Sequence, residues 1–268
     1  MIKTSPISGN SPKLLIVGQG IAGSAIAANA LSRGLSISVV DSGFKHSASY
    51  VSSGLINPLT GRHLHKSWMI DQLLSSATEF YSGIESSLGE KLYKKTEILR
   101  KIPGVKEEND WLSLVGTSPY IPYLPDQEPM PMVSSIFGSG SKSISVHTGF
   151  FINIKVLLEL YRNHLKSIGA LIEETFDYSH LQLRENYFVY QDTSFDYVIF
   201  CEGYKSLSNP YFSNIPIYPN KGQCLILDLE LPNQMPVVSP GILTPYLYNY
   251  TYFGSTYERG NSNNVPLS

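Results

Sequence analysis

Three glycines close to the start constrain this chain more than any other feature. Residues 18–23 read Gly-Gln-Gly-Ile-Ala-Gly, a GxGxxG pattern. Such a pattern is weak alone, and its flanks decide what it means. Residues 13–17 (KLLIV) are a short apolar run, as in a strand buried on both faces. Residues 21–33 are rich in alanine and leucine and stop at Gly34, which reads as a helix closed by a glycine. Residues 36–40 (SISVV) make a second strand, and Asp41 closes it 18 positions after Gly23. Strand, glycine loop, helix, strand and acid form the context of a dinucleotide fingerprint. Gly18 permits a tight turn, Gly20 lets a pyrophosphate approach the backbone, and Gly23 lets helix and strand pack closely. The free N–H groups and dipole of the helix start favour an anion. Asp41 is placed to accept ribose hydroxyls and would repel a 2′-phosphate. NADP is therefore disfavoured, while NAD and FAD both stay open on this motif.

Composition narrows the remaining classes. At 268 residues the chain has room for two domains, taking about 150 residues for each. A hydrophobic fraction of 42% against 16% charged excludes bulk disorder. With 20 basic and 22 acidic residues the net charge is −2, so no nucleic-acid partner is expected. Cys201 and Cys224 match neither a metal spacing nor a disulfide framework. No metal is expected, and a reducing, cytoplasmic location is. The apolar run 14–31 is cut by Gly18, Gly20 and Gly23 and carries Gln19 and Asn29, so no membrane span is expected. Residues 1–12 are rich in Ser, Pro and Gly and read as a loose leader.

Residues 42–63 hold many Ser and Gly and read as a long loop. From 68 to 84, Met69, Leu73, Leu74, Ala77, Phe80, Tyr81 and Ile84 recur at helical spacing. Residues 91–146 are rich in proline and short β-prone pieces, which reads as a β-rich insert. Residues 153–168 are helical again, with Leu157, Leu158, Tyr161, Leu165 and Ile168 on one side and Gly169 as the stop. Strands are expected at 171–173, 187–191, 197–200, 223–229 and 250–253. The fold class is therefore α/β: a discontinuous Rossmann-like nucleotide-binding domain over 13–86 and 147–212, with a β-rich α+β domain over 87–146 and 213–268.

Two further segments separate FAD from NAD. Residues 48–58 (ASYVSSGLINP) can bring backbone N–H and hydroxyl groups onto a pyrophosphate or flavin edge. Residues 195–203 (FDYVIFCEG) form an apolar strand ending in small residues, suited to a second backbone approach. The order GxGxxG, acidic strand end, SSGLINP, DYVIFCEG resembles the FAD-dependent oxidoreductases of the D-amino-acid oxidase type, a group that includes glycine and sarcosine oxidases. The segments PNKGQ (219–223) and FGSTYE (253–258) are similar to two further turns of that family.

The resemblance implies FAD as cofactor and a small-molecule amine or amino acid as substrate. It implies oxidation of a C–N bond by hydride transfer to the flavin. It places Gly18, Gly20, Ile21, Ala22 and Gly23 on the pyrophosphate, and Asp41 and Ser42 at the adenosine ribose. Ser49, Ser52, Ser53, Gly54 and Leu55 would run along the pyrophosphate and flavin. The Phe176 backbone would meet adenine, and Cys201, Glu202 and Gly203 would flank the AMP half. The family's carboxylate-binding arginine and closing segment have no counterpart after Glu258. The β-rich domain is therefore expected to be C-terminally incomplete, and a nucleotide-binding protein without turnover stays open beside the enzyme. An NAD-dependent dehydrogenase fits less well, since it has no need of the flavin-side loop. No catalytic residue stands out. Arg62, with His63 and His65, follows the flavin-side loop and suits either an anionic flavin or a solvated turn. His147 is expected at an element boundary. Tyr246, Tyr248, Tyr250 and Tyr252 alternate as on one face of a strand.

Overall fold

The computed structural model describes residues 11–45, 47–246 and 250–260. The chain divides into two compact units, one of residues 1–52, 154–220 and 259–268, the other of 53–153 and 221–258.

The first unit is built on a four-stranded parallel sheet. Its strands are β1 (Lys13–Val17), β2 (Ser36–Val40), β3 (Leu171–Ile172) and, after three antiparallel strands β4 (Leu181–Leu183), β5 (Phe188–Tyr190) and β6 (Thr193–Phe195), β7 (Tyr197–Phe200). The parallel order is β7-β1-β2-β3. β1 is central, and Leu15 and Ile16 are fully buried, as a strand covered on both faces requires. Helix α1 (Ile21–Ser32) buries Gly23, Ser24, Ala27 and Ala30, so a face of small side chains packs closely. It ends where Gly34 turns left-handed (φ 72°) and Leu35 N–H donates to the Ala30 carbonyl. Helix α2 (Ile154–Ser167) buries Leu157, Leu158, Tyr161 and Leu165, and Gly169 closes it in the same way. Leu158→Ala is expected to lower unfolding free energy by about 2–5 kcal/mol, the range for a fully buried leucine, measured by urea denaturation.

The second unit is a mixed sheet. Along it run 224–227, 251–254, 242–245, 237–238, 93–101, 142–152 and 55–56, with 130–131 paired to the 142–152 strand. Its core gathers Leu59, Leu64, Ile98, Trp111, Leu124, Ile144 and Val146. Trp111 Nε1 donates to the Arg62 carbonyl at 2.8 Å, and the buried Arg100 guanidinium stacks over its ring. Helix Val105–Leu112, which carries Trp111, interrupts the β texture expected of 91–146.

Three local readings are corrected. The helix after residue 68 runs Ile70–Leu88, because Met69 is left-handed (φ 50°) and ends the preceding turn. Leu73 is exposed, and the buried seam passes through Ile70, Ile84 and Glu85. His147 is not at a boundary but inside the strand Lys142–Ile152. Thr148-Gly149 is a bulge rather than a turn: Thr148 has φ 60°, the register shifts opposite it between Thr96 and Ile98, and the Ile98 side chain packs where a Cβ on Gly149 would stand. The tyrosines do not share one strand. Tyr246 follows the strand Ile242–Pro245, while Tyr252 lies on its antiparallel partner Thr251–Gly254 with Tyr250 just ahead of it. Tyrosine suits both arms of a hairpin, so alternation alone did not mark the reversal. Tyr248 lies outside the described residues.

Candidate nucleotide site

At the C-terminal ends of β1, β2 and β7 the first unit holds a cavity of about 400 Å³. Open parallel sheets bind ligands at this end of their strands. Gly18, Gly20, Asp41, Ser42, Ser49, Phe176, Cys201, Glu202 and Gly203 line it. Four stretches of sequence thus meet on one wall. Ile21, Ala22 and Gly23 stand behind it, in the first turn of α1. Ser52 is exposed, and its hydroxyl donates to the Ser49 carbonyl. Ser53, Gly54 and Leu55 belong to the second unit, where Leu55 pairs with Phe151.

The glycines have separate physical reasons. A Cβ on Gly18 (φ 97°) would lie 2.5 Å from the Cys201 carbonyl oxygen. One on Gly23 would lie 1.9 Å from the Gly18 carbonyl oxygen. Both bring backbone against backbone. One on Gly20 would meet the Ser49 hydroxyl at 3.1 Å, so the space at Gly20 admits a side chain that caps the helix. Ser49 Oγ accepts from Ile21 N–H at 3.1 Å. Among the described residues the N–H groups of Gly20, Ala22 and Gly23 have no partner, as the start of a helix leaves them. At Gly54 (φ 71°) a Cβ would lie 1.9 Å from the Ile152 carbonyl oxygen, so strand packing requires that glycine.

Asp41 is held from three sides. Its Oδ2 accepts from Gln19 N–H at 2.8 Å, and its Oδ1 accepts from Gly43 N–H at 2.8 Å and from Arg162 at 2.8 Å. Glu202 accepts from Asn209 at 2.7 Å and from the Tyr178 hydroxyl. Burial first, and then that carboxylate, raise the Tyr178 phenol well above its ordinary value, so it stays a donor. Phe176 stacks on Tyr190 with ring centres 4.7 Å apart and meets Tyr178 and Phe200 edge-on. Burial, with Glu202 second, pushes the Cys201 thiol up to about 11. It is expected to react with iodoacetamide at pH 7.5 roughly 300-fold more slowly than an ordinary cysteine thiol, whose pKa is about 8.5, in proportion to its thiolate fraction, followed by peptide mass spectrometry.

Phe44, Glu174, Tyr178, Tyr204 and Lys205 also line this wall, and no sequence motif marks them. The cluster of aromatics at 176, 178, 187 and 190 was the available signal for Tyr178. Arg62, in the second unit, forms an ion pair with Glu107, whose carboxyl it holds below the usual range. Among the described residues no group of three or more His, Cys, Asp or Glu is placed to hold a metal. No described helix is long and apolar enough to cross a membrane.

A parallel sheet with a glycine loop, a helix start and an acid at the second strand end defines a dinucleotide-binding α/β protein. Residues 13–268 match the family model DAO, described as FAD dependent oxidoreductase, and the chain belongs to that family. FAD is its cofactor. The fold is similar to that of glycine oxidase from Geobacillus kaustophilus, with TM-score 0.72 at 16% identity over 94% of this chain and 74% of that one. Glycine oxidase from Bacillus cereus ATCC 14579 gives TM-score 0.71 at 15% identity over 94% and 73%. L-alpha-glycerophosphate oxidase from Mycoplasma pneumoniae, with FAD bound, gives TM-score 0.59 at 14% identity over 94% and 73%.

The cavity fits the adenosine diphosphate part of that cofactor. Its volume of about 400 Å³ falls in the range of roughly 300–1,000 Å³ for cofactor sites. Of the three unpaired amides, that of Gly20 lies on the wall and those of Ala22 and Gly23 belong to the helix start behind it, an arrangement that suits a diphosphate. Asp41, Glu174 and Glu202 stand against one cation, Lys205, which suits a ribose without an added phosphate.

Proposed function

We propose that the chain oxidises a C–N bond of a small amine or amino acid, using FAD as hydride acceptor. The observation that carries the nucleotide half of this reading is the convergence of Gly18, Gly20, Asp41 and Cys201 on one cavity wall. Family membership supports the oxidoreductase class, and the two glycine oxidases of similar fold support the substrate class. In this reading the amides of Gly20, Ala22 and Gly23, with Gly18 and Ile21 shaping the turn, hold the pyrophosphate, and Lys205 offsets its charge. Asp41 and Ser42 receive the ribose. Phe176 walls the adenine, while Cys201, Glu202 and Gly203 flank the AMP half. Ser49 and Ser52 are assigned to the pyrophosphate. The protein's part is to bind and orient, and the cofactor supplies the redox chemistry.

Reconstitution tests this reading. The purified chain mixed with FAD is expected to take up one flavin per chain and keep it through gel filtration, seen as flavin absorbance. Peroxide release would then be measured on glycine, N-methylglycine, proline and D-alanine. Flavin uptake without turnover on any amine would leave nucleotide binding as the function and reject the substrate class.

A further inference from the structure

One basic residue outside the cavity ties its wall together. Arg162 lies on α2, buried, and does not line the cavity. Its Nη1 donates to Gln19 Oε1 at 2.9 Å and to Asp41 Oδ1 at 2.8 Å. Its Nη2 donates to the Asp41 carbonyl at 3.0 Å and to Glu173 Oε1 at 3.0 Å. The same guanidinium sits 5.4 Å from the centre of the Phe44 ring, which is on the wall. Gln19 is fully buried between the first two glycines of the loop, and its Nε2 donates to the Leu158 carbonyl of α2 at 3.1 Å. A planar fork therefore joins the glycine loop, the end of β2 and the segment after β3.

The fork also decides what Asp41 has left to offer. A carboxylate has about four acceptor positions, two on each oxygen. Arg162 and Gly43 N–H together fill Oδ1. On Oδ2 only Gln19 N–H is bonded among the described residues, so one position stays open there. We propose that Arg162 is a positioning residue that turns the Asp41 carboxylate so that Oδ2 presents its open position to an adenosine ribose hydroxyl. Lysine at 162 would keep the charge but, as a point donor, could not span Gln19, the Oδ1 and backbone carbonyl oxygens of Asp41, and Glu173 together. This inference rests on the assignment of the ribose to Asp41 made above.

The test uses the full chain with ADP and 2′,3′-dideoxy-ADP as probes, titrated by calorimetry. Wild type is expected to prefer ADP at least tenfold. A wild type without that preference rejects the ribose assignment itself, and this inference with it. With the preference present, Arg162→Lys is expected to bring the ratio of the two affinities below about threefold. A general loosening would weaken both probes alike and leave the ratio unmoved. A folded Arg162→Lys with the wild-type ratio overturns the role given to Arg162. If that variant does not fold, Glu173→Gln reads the same tie from its half-exposed end. Its ratio is expected to fall at least twofold, and an unchanged ratio overturns the proposal.

Discussion

Gly23→Ala is expected to abolish FAD uptake and to weaken the fold. The new Cβ would stand 1.9 Å from the Gly18 carbonyl oxygen and 3.0 Å from the Gly18 carbonyl carbon. Both atoms are backbone, so no side-chain rotation relieves the contact. The loop must move off α1, and Gly18 is itself packed against the Cys201 carbonyl, which passes the displacement to β7. Affinity for FAD should drop at least about 100-fold, and stability should fall by about 1–3 kcal/mol, the range for overpacking. Flavin fluorescence titration and urea unfolding measure the two effects. Gly20→Ala is the control. Its Cβ meets only the Ser49 side chain, which can rotate at the cost of one helix cap, so its stability loss should stay near 1 kcal/mol. Equal losses for both variants would mean that the contact between α1 and the loop is not what shapes the turn.

Asp41→Ala is expected to destabilise the fold strongly. It removes the acceptor of Gln19 N–H and Gly43 N–H, and it leaves the Arg162 guanidinium buried with Gln19, Glu173 and one carbonyl. Removing one partner of a buried ion pair costs roughly 3–5 kcal/mol. The remaining partners place the expected loss near the lower figure, about 3 kcal/mol. Asp41→Asn keeps an oxygen acceptor and should lose less. Thermal unfolding of the two variants separates charge from hydrogen bonding. A loss under about 1 kcal/mol for Asp41→Ala would show that Arg162 is not dependent on this carboxylate.

The nucleotide unit was open to reading because its signals are local. Gly18, Gly20 and Gly23 sit within six consecutive residues, the apolar runs of β1 and β2 flank them, and Asp41 follows at once. Each feature constrains the backbone where it stands. Arg162 was not legible for the opposite reason. Nothing near position 162 marks that residue, which is one of several bases on an amphipathic helix. Its partners at 19, 41 and 173 come together only in the fold. His147 and the tyrosines failed differently. Thr148-Gly149 carries the residue signature of a turn, yet Gly149 serves to admit the Ile98 side chain. The hairpin between Ile242–Pro245 and Thr251–Gly254 joins two β-prone arms that look continuous in one dimension. In the second unit the Trp111 core draws on residues from 59 to 238, and pairings that distant leave no periodic trace.

The place of β7 beside β1 has a consequence during synthesis. Lys13 and Asp196 are hydrogen-bonded across 183 positions. At roughly 5–20 residues per second, β1 waits on the order of 10–40 seconds after its own translation before its β7 neighbour exists. Throughout that interval Leu14–Val17 is an apolar stretch with an unpaired edge. A nascent chain arrested before residue 197 should therefore bind a holdase chaperone, and release of β7 from the ribosome should end that association.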